Sequence, residues 1–129
     1  MNAKLSYDER KQLLAARLKP SRFRHSLGVA ETAAQLAARF GVDAEAARTA
    51  GLLHDCAREF PNEAMRAEAD KRQIPYGPIE RAMPLLLHAY LGAARVRELY
   101  GVDDDAISQA IYRHTVGGPQ MTRLHKIIW

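Results

Sequence analysis

Cysteine pairs and long apolar runs are both missing from this sequence. Cys56 is the only cysteine among 129 residues, so neither an intramolecular disulfide nor a cysteine-based zinc site can form, and redox chemistry is a poor fit. No stretch approaches the ~20 consecutive apolar residues that cross a bilayer. The N-terminal MNAKLSYDERK lacks the apolar centre of a signal peptide, which gives the expectation of a cytoplasmic protein without membrane attachment. Aromatics are few, with one Trp, five Tyr and three Phe, and they form no evident platform for stacking nucleic-acid bases. Strand alternation, internal repeats and low-complexity tracts are also lacking.

What is present is a chain 47% hydrophobic, sized for a single domain over residues 1–129 with one core. Nineteen Lys and Arg against fifteen Asp and Glu give a formal charge of +4, which favours anionic partners. The basic residues are scattered, a pattern that suits a small polyanion better than a duplex. A helical nucleic-acid binder is the competing reading of that charge, and steeply salt-dependent binding would be its mark.

Helical signals run the length of the chain. Ser6 and Glu9 have capping-box spacing before Leu13, Leu14 and Leu18, and Pro20 interrupts that first helix. Ser21 can cap a second helix through Phe23, Leu27, Ala30, Ala34, Ala37 and Phe40, stopped by Gly41. Asp43 can cap a third, ending in Gly51-Leu52-Leu53-His54-Asp55. Pro61 can open a fourth reaching roughly Lys71. Ile74 to Pro78 reads as a loop or sharp turn. Pro84 can open a long helix closed by Gly101, and the Asp103 to Asp105 run suits the start of another that ends near His114. After Gly117-Gly118-Pro119 a last segment runs to Trp129, whose apolar end a second copy of the chain or further residues would cover. The spacing predicts an all-α, compact bundle of six or seven short helices.

Five histidines fall at 25, 54, 88, 114 and 125. An isolated histidine is ordinarily a surface residue or a hydrogen-bonded core residue. His54-Asp55, however, follows a small apolar run that should be buried, and burying imidazole with carboxylate costs several kcal/mol unless they are paired or bound to a cation. The alternative is that Asp55 caps a helix or pairs with Arg58 at the surface, and the dipeptide alone leaves both open. Arg22 and His25 share one helical face, an arrangement suited to phosphate. Gly28, inside that helix, costs roughly 1 kcal/mol relative to alanine, which predicts a close approach there. His88 ends another apolar run, and His114 ends a helix before a glycine pair.

Taken in order, Arg22-x-x-His25-Ser26-x-Gly28-Val29, Ala50-Gly51-Leu52-Leu53-His54-Asp55-x-Ala57-Arg58-Glu59, Leu86-Leu87-His88 with Gly92-Ala93, and His114-Thr115-x-Gly117 with Lys126-Ile127-Ile128 resemble the HD-domain superfamily of metal-dependent phosphohydrolases. Within it they are most similar to the YqeK-type branch, from about Arg22 onward. The resemblance implies a helical fold and symmetrical hydrolysis of diadenosine tetraphosphate to two ADP. It also implies a divalent metal, iron first, with manganese, cobalt or zinc as alternatives. His25, His54 and Asp55 map onto its core metal ligands, and His88 and His114 onto residues that complete a second metal position or touch phosphate. Arg58 stands where such proteins commonly place lysine. The family pattern continues beyond the final aromatic into an Ala-Asp pair and a further helix, so the expected domain lacks that helix. His125 lies near this end but off the matching position.

These assignments imply a catalytic set of Asp55, His114 and Arg58. Arg22 and Arg58 would neutralise phosphoryl charge, His114 would donate a proton or bind phosphate, and Thr115 with the Gly117-Gly118 backbone would bond phosphate oxygens. The implied partner is a nucleotide or dinucleoside polyphosphate, with no specific nucleic acid and with a homodimer in view. Another HD-type nucleotide phosphohydrolase, or a catalytically impaired nucleotide- or metal-binding module, remains the alternative.

Overall fold

The computed structural model describes residues 5–115, 117 and 121–128. Among them the chain forms α1 (Tyr7–Arg17), α2 (Pro20–Phe40), α3 (Ala44–Leu53), α4 (Asn62–Lys71), α5 (Pro78–Ala82), α6 (His88–Glu98), α7 (Asp105–Tyr112) and α8 (Arg123–Ile128). Two single turns of 3-10 helix, Cys56–Glu59 and Pro84–Leu87, stand between them. The all-α expectation holds, with no strand among the described residues. The helix count exceeds six or seven because the long helix expected from Pro84 is divided. Pro84–Leu87 winds as 3-10 and only His88 onward is α, while Pro78–Ala82 forms a short helix of its own.

Local chemistry accounts for most helix ends. The Ser6 hydroxyl accepts the Glu9 N–H at 3.1 Å and Glu9 accepts the Ser6 N–H at 2.8 Å, a reciprocal capping box. Asp43 and Asp104 cap α3 and α7 through their carboxylates. Gly41 ends α2 at φ +71°, a left-handed conformation that favours glycine. The expected cap at Ser21 is not used. Pro20 occupies the first helical position, so α2 begins after Lys19 with no side chain bonded to its first N–H groups.

α2 and α3 form the most extensive helix pair. Ala30, Ala33 and Ala37 of α2 and Ala46, Ala47, Ala50, Leu52 and Leu53 of α3 are buried in one apolar cluster. Small side chains let the backbones approach closely. The contact is tightest at Gly51, where an added Cβ would stand 3.0 Å from both the Ala30 Cα and the Val29 carbonyl oxygen. Gly28 was expected to mark a close approach, yet a Cβ there meets nothing within 4 Å. A smaller cluster gathers Ala57, Met65, Ala69, Leu87, Ala89, Tyr90 and Leu91. Leu53 belongs to the first cluster and Ala57 to the second, so His54 and Asp55 lie at the seam between them. No helix of the described residues is long and apolar enough to cross a membrane.

At α8 the capping box has an unusual acceptor. Thr122 Oγ1 accepts the His125 N–H at 3.1 Å, and His125 Nδ1 accepts the Thr122 N–H at 3.2 Å. That bond requires Nδ1 to be unprotonated, and burial, with the Arg113 charge adding to it, lowers the His125 pKa below 6.5. The neutral form is therefore the folded form. The cap's contribution is complete above pH 6.5 and is lost as pH falls from there toward the folded pKa, because the unfolded chain takes up the proton first. Amide exchange at Thr122 should accelerate over that window, and His125→Gln should flatten the response. Exchange independent of pH, after correction for intrinsic rates, would remove the cap from this account.

Candidate metal centre

Four imidazoles meet one carboxylate. Asp55 Oδ2 lies 3.4 Å from His54 Nε2 and 3.9 Å from His25 Nε2. Asp55 Oδ1 lies 3.1 Å from His88 Nε2 and 3.7 Å from His114 Nε2. The groups His25, His54, Asp55 and Asp55, His88, His114 each bring their donor atoms within 4.8 Å of one another. Asp55 belongs to both, offering a different oxygen to each. Asp55, His54 and His88 are buried, while the His25 side chain is 53% exposed and leaves one edge of the centre open.

Helix ends set the orientation of three of these rings. His54 caps the C-terminus of α3, His114 lies in the turn after α7, and His88 follows a 3-10 turn. Carbonyls there have a second lone pair to spare, and those of Leu85 and Ile111 also accept the backbone N–H of His88 and His114. His54 Nδ1–H donates to the Gly51 carbonyl at 2.7 Å, His88 Nδ1–H to Leu85 at 2.6 Å and His114 Nδ1–H to Ile111 at 2.6 Å. A carbonyl can only accept, so each Nδ1 carries a proton, and Nε2 is the ring nitrogen turned toward Asp55. A carbonyl bond that fixes the tautomer is the usual outer support of a metal-ligating histidine.

The electrostatics point the same way. Burial lowers the His54 pKa to about 4 against the opposing pull of Asp55, which keeps the ring neutral near pH 7. At Asp55 burial opposes ionisation, but hydrogen bonding with His114 and His88 and the nearby imidazoles outweigh it, holding the carboxyl well below the usual range. His88 Nε2 and His114 Nε2 face each other at 2.9 Å. With both Nδ1 atoms donating elsewhere, the two Nε2 atoms and the Asp55 carboxylate converge on one small space that a cation, a proton or a metal ion, would fill. The donor set thus fits a divalent metal with mixed nitrogen and oxygen ligands.

The surface alternatives for Asp55 do not hold. Asp55 precedes the Cys56–Glu59 turn without capping it through its side chain, and it makes no ion pair with Arg58. Arg58 and Arg22 instead line a neighbouring groove of about 500 Å³. Burial, and then the Arg22 charge, lower the Arg58 pKa, while Asp55 raises it. Thr115 Oγ1 is buried with no hydrogen-bond partner among the described residues. Gly117 was expected to offer its backbone to phosphate, but its N–H donates to the Arg113 carbonyl at 2.9 Å in the turn that closes α7. Its partner in that expectation, Gly118, lies outside the described residues, as does Trp129. His125 serves α8 and stands in neither triad. Lys19, which charge pattern alone did not single out, joins Arg22 and Arg58 in the groove.

Fold and site together define a helical protein with an imidazole–carboxylate centre whose donor atoms are suited to a divalent metal. The chain belongs to the HD domain family, whose profile matches residues 22–128. It is 40% identical over 108 residues to a protein of Bacillus subtilis (strain 168) named bis(5'-nucleosyl)-tetraphosphatase, symmetrical, covering 84% of this chain and 58% of that one. A protein of the same name from Halalkalibacterium halodurans is 38% identical over 118 residues, covering 92% of this chain and 63% of its own. The chain thus spans about three fifths of the length of these curated relatives. A crystal structure described as a predicted HD superfamily hydrolase involved in NAD metabolism, from Clostridium acetobutylicum, superposes with a TM-score of 0.91 at 37% identity. That likeness covers 98% of this chain and 67% of the other.

Proposed function

We propose that this protein hydrolyses dinucleoside polyphosphates with the help of divalent metal, iron first, and cleaves diadenosine tetraphosphate symmetrically into two ADP. What carries this is the common orientation of His54, His88 and His114, whose Nδ1–H groups are tied to backbone carbonyls while Nε2 converges on Asp55. The names of the two curated relatives support the choice of substrate.

His25, His54 and Asp55 would hold one cation, and Asp55, His88 and His114 a second. Bound there, divalent cations supply Lewis-acid activation of the phosphoryl group and of water, whose pKa falls from 15.7 toward ~7. The protein's own residues do the rest. The carbonyls of Gly51, Leu85 and Ile111 hold the rings in place. Arg22 and Arg58, beside the centre, offset negative charge on the phosphoryl oxygens. His114 has Nδ1 on Ile111 and Nε2 at Asp55, an arrangement that favours a ligand role over proton donation.

Protein purified without chelator should contain iron, or manganese, cobalt or zinc in its place, and should convert diadenosine tetraphosphate to ADP alone. Production of ATP with AMP, or no turnover with any of these metals loaded, would overturn the assignment.

A further inference from the structure

The groove beside the metal centre carries more positive charge than its own groups balance. Lys19, Arg22 and Arg58 line it together with Phe60 and Asn62. None of the three cations has an ion-pair partner among the described residues. Two carboxylates reach the groove, Glu59 and Glu63. Glu59 is already engaged, with one oxygen bonded by Arg95 and the other 3.5 Å from Arg17. Only Glu63 is left to offset three cations, and the pKa of Arg58 is lowered by burial and by Arg22. Holding like charges together in a partly buried groove is unfavourable until an anion enters.

The direction of the groove follows from α2. Lys19 is the N-cap of α2 and Arg22 and His25 lie within the helix, so the three climb it as a shallow spiral that turns about 60° per step, from the groove lined by Lys19 and Arg22 toward His25 of the metal centre. At 1.5 Å per residue, Lys19 and His25 are about 9 Å apart along the axis. A single phosphate held near His25 ends short of Lys19, whereas a chain of three or four phosphates spans the distance. The uncapped first turn of α2 adds its positive end on the same side.

We propose that this groove seats the phosphates beyond the scissile bond, and that Lys19 makes polyphosphate length the feature selected. The inference rests on the placement of the scissile phosphoryl group at the metal centre. It concerns the other end of the substrate, where Lys19 acts as a specificity-determining residue.

The test is calorimetric binding of sodium tripolyphosphate and of orthophosphate to the metal-loaded protein, in wild type, Lys19→Glu and Lys19→Arg. Lys19 is exposed, so neither substitution disturbs the core. Lys19→Glu should weaken tripolyphosphate at least about tenfold while orthophosphate changes less than about twofold, and Lys19→Arg should stay within about threefold of wild type for both. The salt dependence for tripolyphosphate should also become shallower in Lys19→Glu. Unchanged affinities would overturn the groove assignment, and so would equal weakening of both anions, which marks only a general field effect. Length-selective binding without cleavage of a dinucleoside tetraphosphate would overturn the hydrolase assignment and leave the groove standing. Cleavage without selection through Lys19 would do the reverse.

Discussion

Asp55→Asn is expected to abolish metal binding in both halves of the centre at once, an effect no single imidazole replacement should match. The reason is its shared position. Asp55 Oδ2 faces His25 and His54 at 3.9 and 3.4 Å, and Oδ1 faces His88 and His114 at 3.1 and 3.7 Å. Asparagine keeps the shape but removes the charge, and turns one oxygen into a donor aimed at lone pairs. His25→Ala touches only the first triad and His88→Ala only the second. Metal analysis should therefore show full loading in wild type, about half in either histidine variant and none in Asp55→Asn. Hydrolysis by Asp55→Asn should fall further than the about 10–100-fold expected for losing an outer-shell partner. Far-UV circular dichroism should stay helical, since the surrounding helices pack through the alanine and leucine clusters rather than through Asp55. Wild-type metal content in Asp55→Asn would contradict the shared-ligand geometry.

The parts of this structure legible in sequence are those that short-range chemistry decides. Ser6 with Glu9, Gly41, and Asp43 each act within a few residues, and each ends a helix as its neighbours suggest. The Pro84 segment was harder. A proline with an apolar run after it reads as a helix start, but Pro84–Leu87 winds as 3-10 and places the Leu85 carbonyl where His88 Nδ1 bonds it. The four clustered imidazoles and Asp55 were visible as ordered motifs, and the placement of three of them, His54, His88 and His114, at helix ends lets each ring bond the carbonyl three residues before it. What sequence did not disclose was the charge balance of the groove. Lys19 is unremarkable among scattered cations until Glu59 is seen tied to Arg17, 42 residues away, and Arg95, 36 residues away. Such pairings depend on tertiary contacts that no local spacing encodes.

Glycines 28 and 51 should respond to alanine with opposite signs, although both lie inside helices where glycine is intrinsically unfavourable by about 1 kcal/mol. At Gly28 an added Cβ meets nothing within 4 Å, so Gly28→Ala gains the propensity term and should raise the melting temperature of the metal-free protein by about 3–5 °C. At Gly51 the same Cβ stands 3.0 Å from the Ala30 Cα, 3.0 Å from the Val29 carbonyl oxygen and 3.2 Å from the Ala30 nitrogen. These are backbone atoms, which cannot rotate aside as a side chain can. α2 and α3 must separate, and because backbone cannot give way the cost falls at or beyond the upper end of the about 1–3 kcal/mol typical of overpacking, which exceeds the about 1 kcal/mol of propensity gained. Gly51→Ala should accordingly melt at least about 5 °C lower despite its better helix propensity. The loss should extend to function, because His25 rides on α2 while His54 follows α3, and the Gly51 carbonyl itself holds the His54 ring at 2.7 Å. Metal bound through His25, His54 and Asp55 should be lost first, before metal at the His88 and His114 side. A Gly51→Ala protein as stable as wild type, or a Gly28→Ala protein as damaged as Gly51→Ala, would refute the backbone contact as the element that sets the distance between the two ligand-bearing helices.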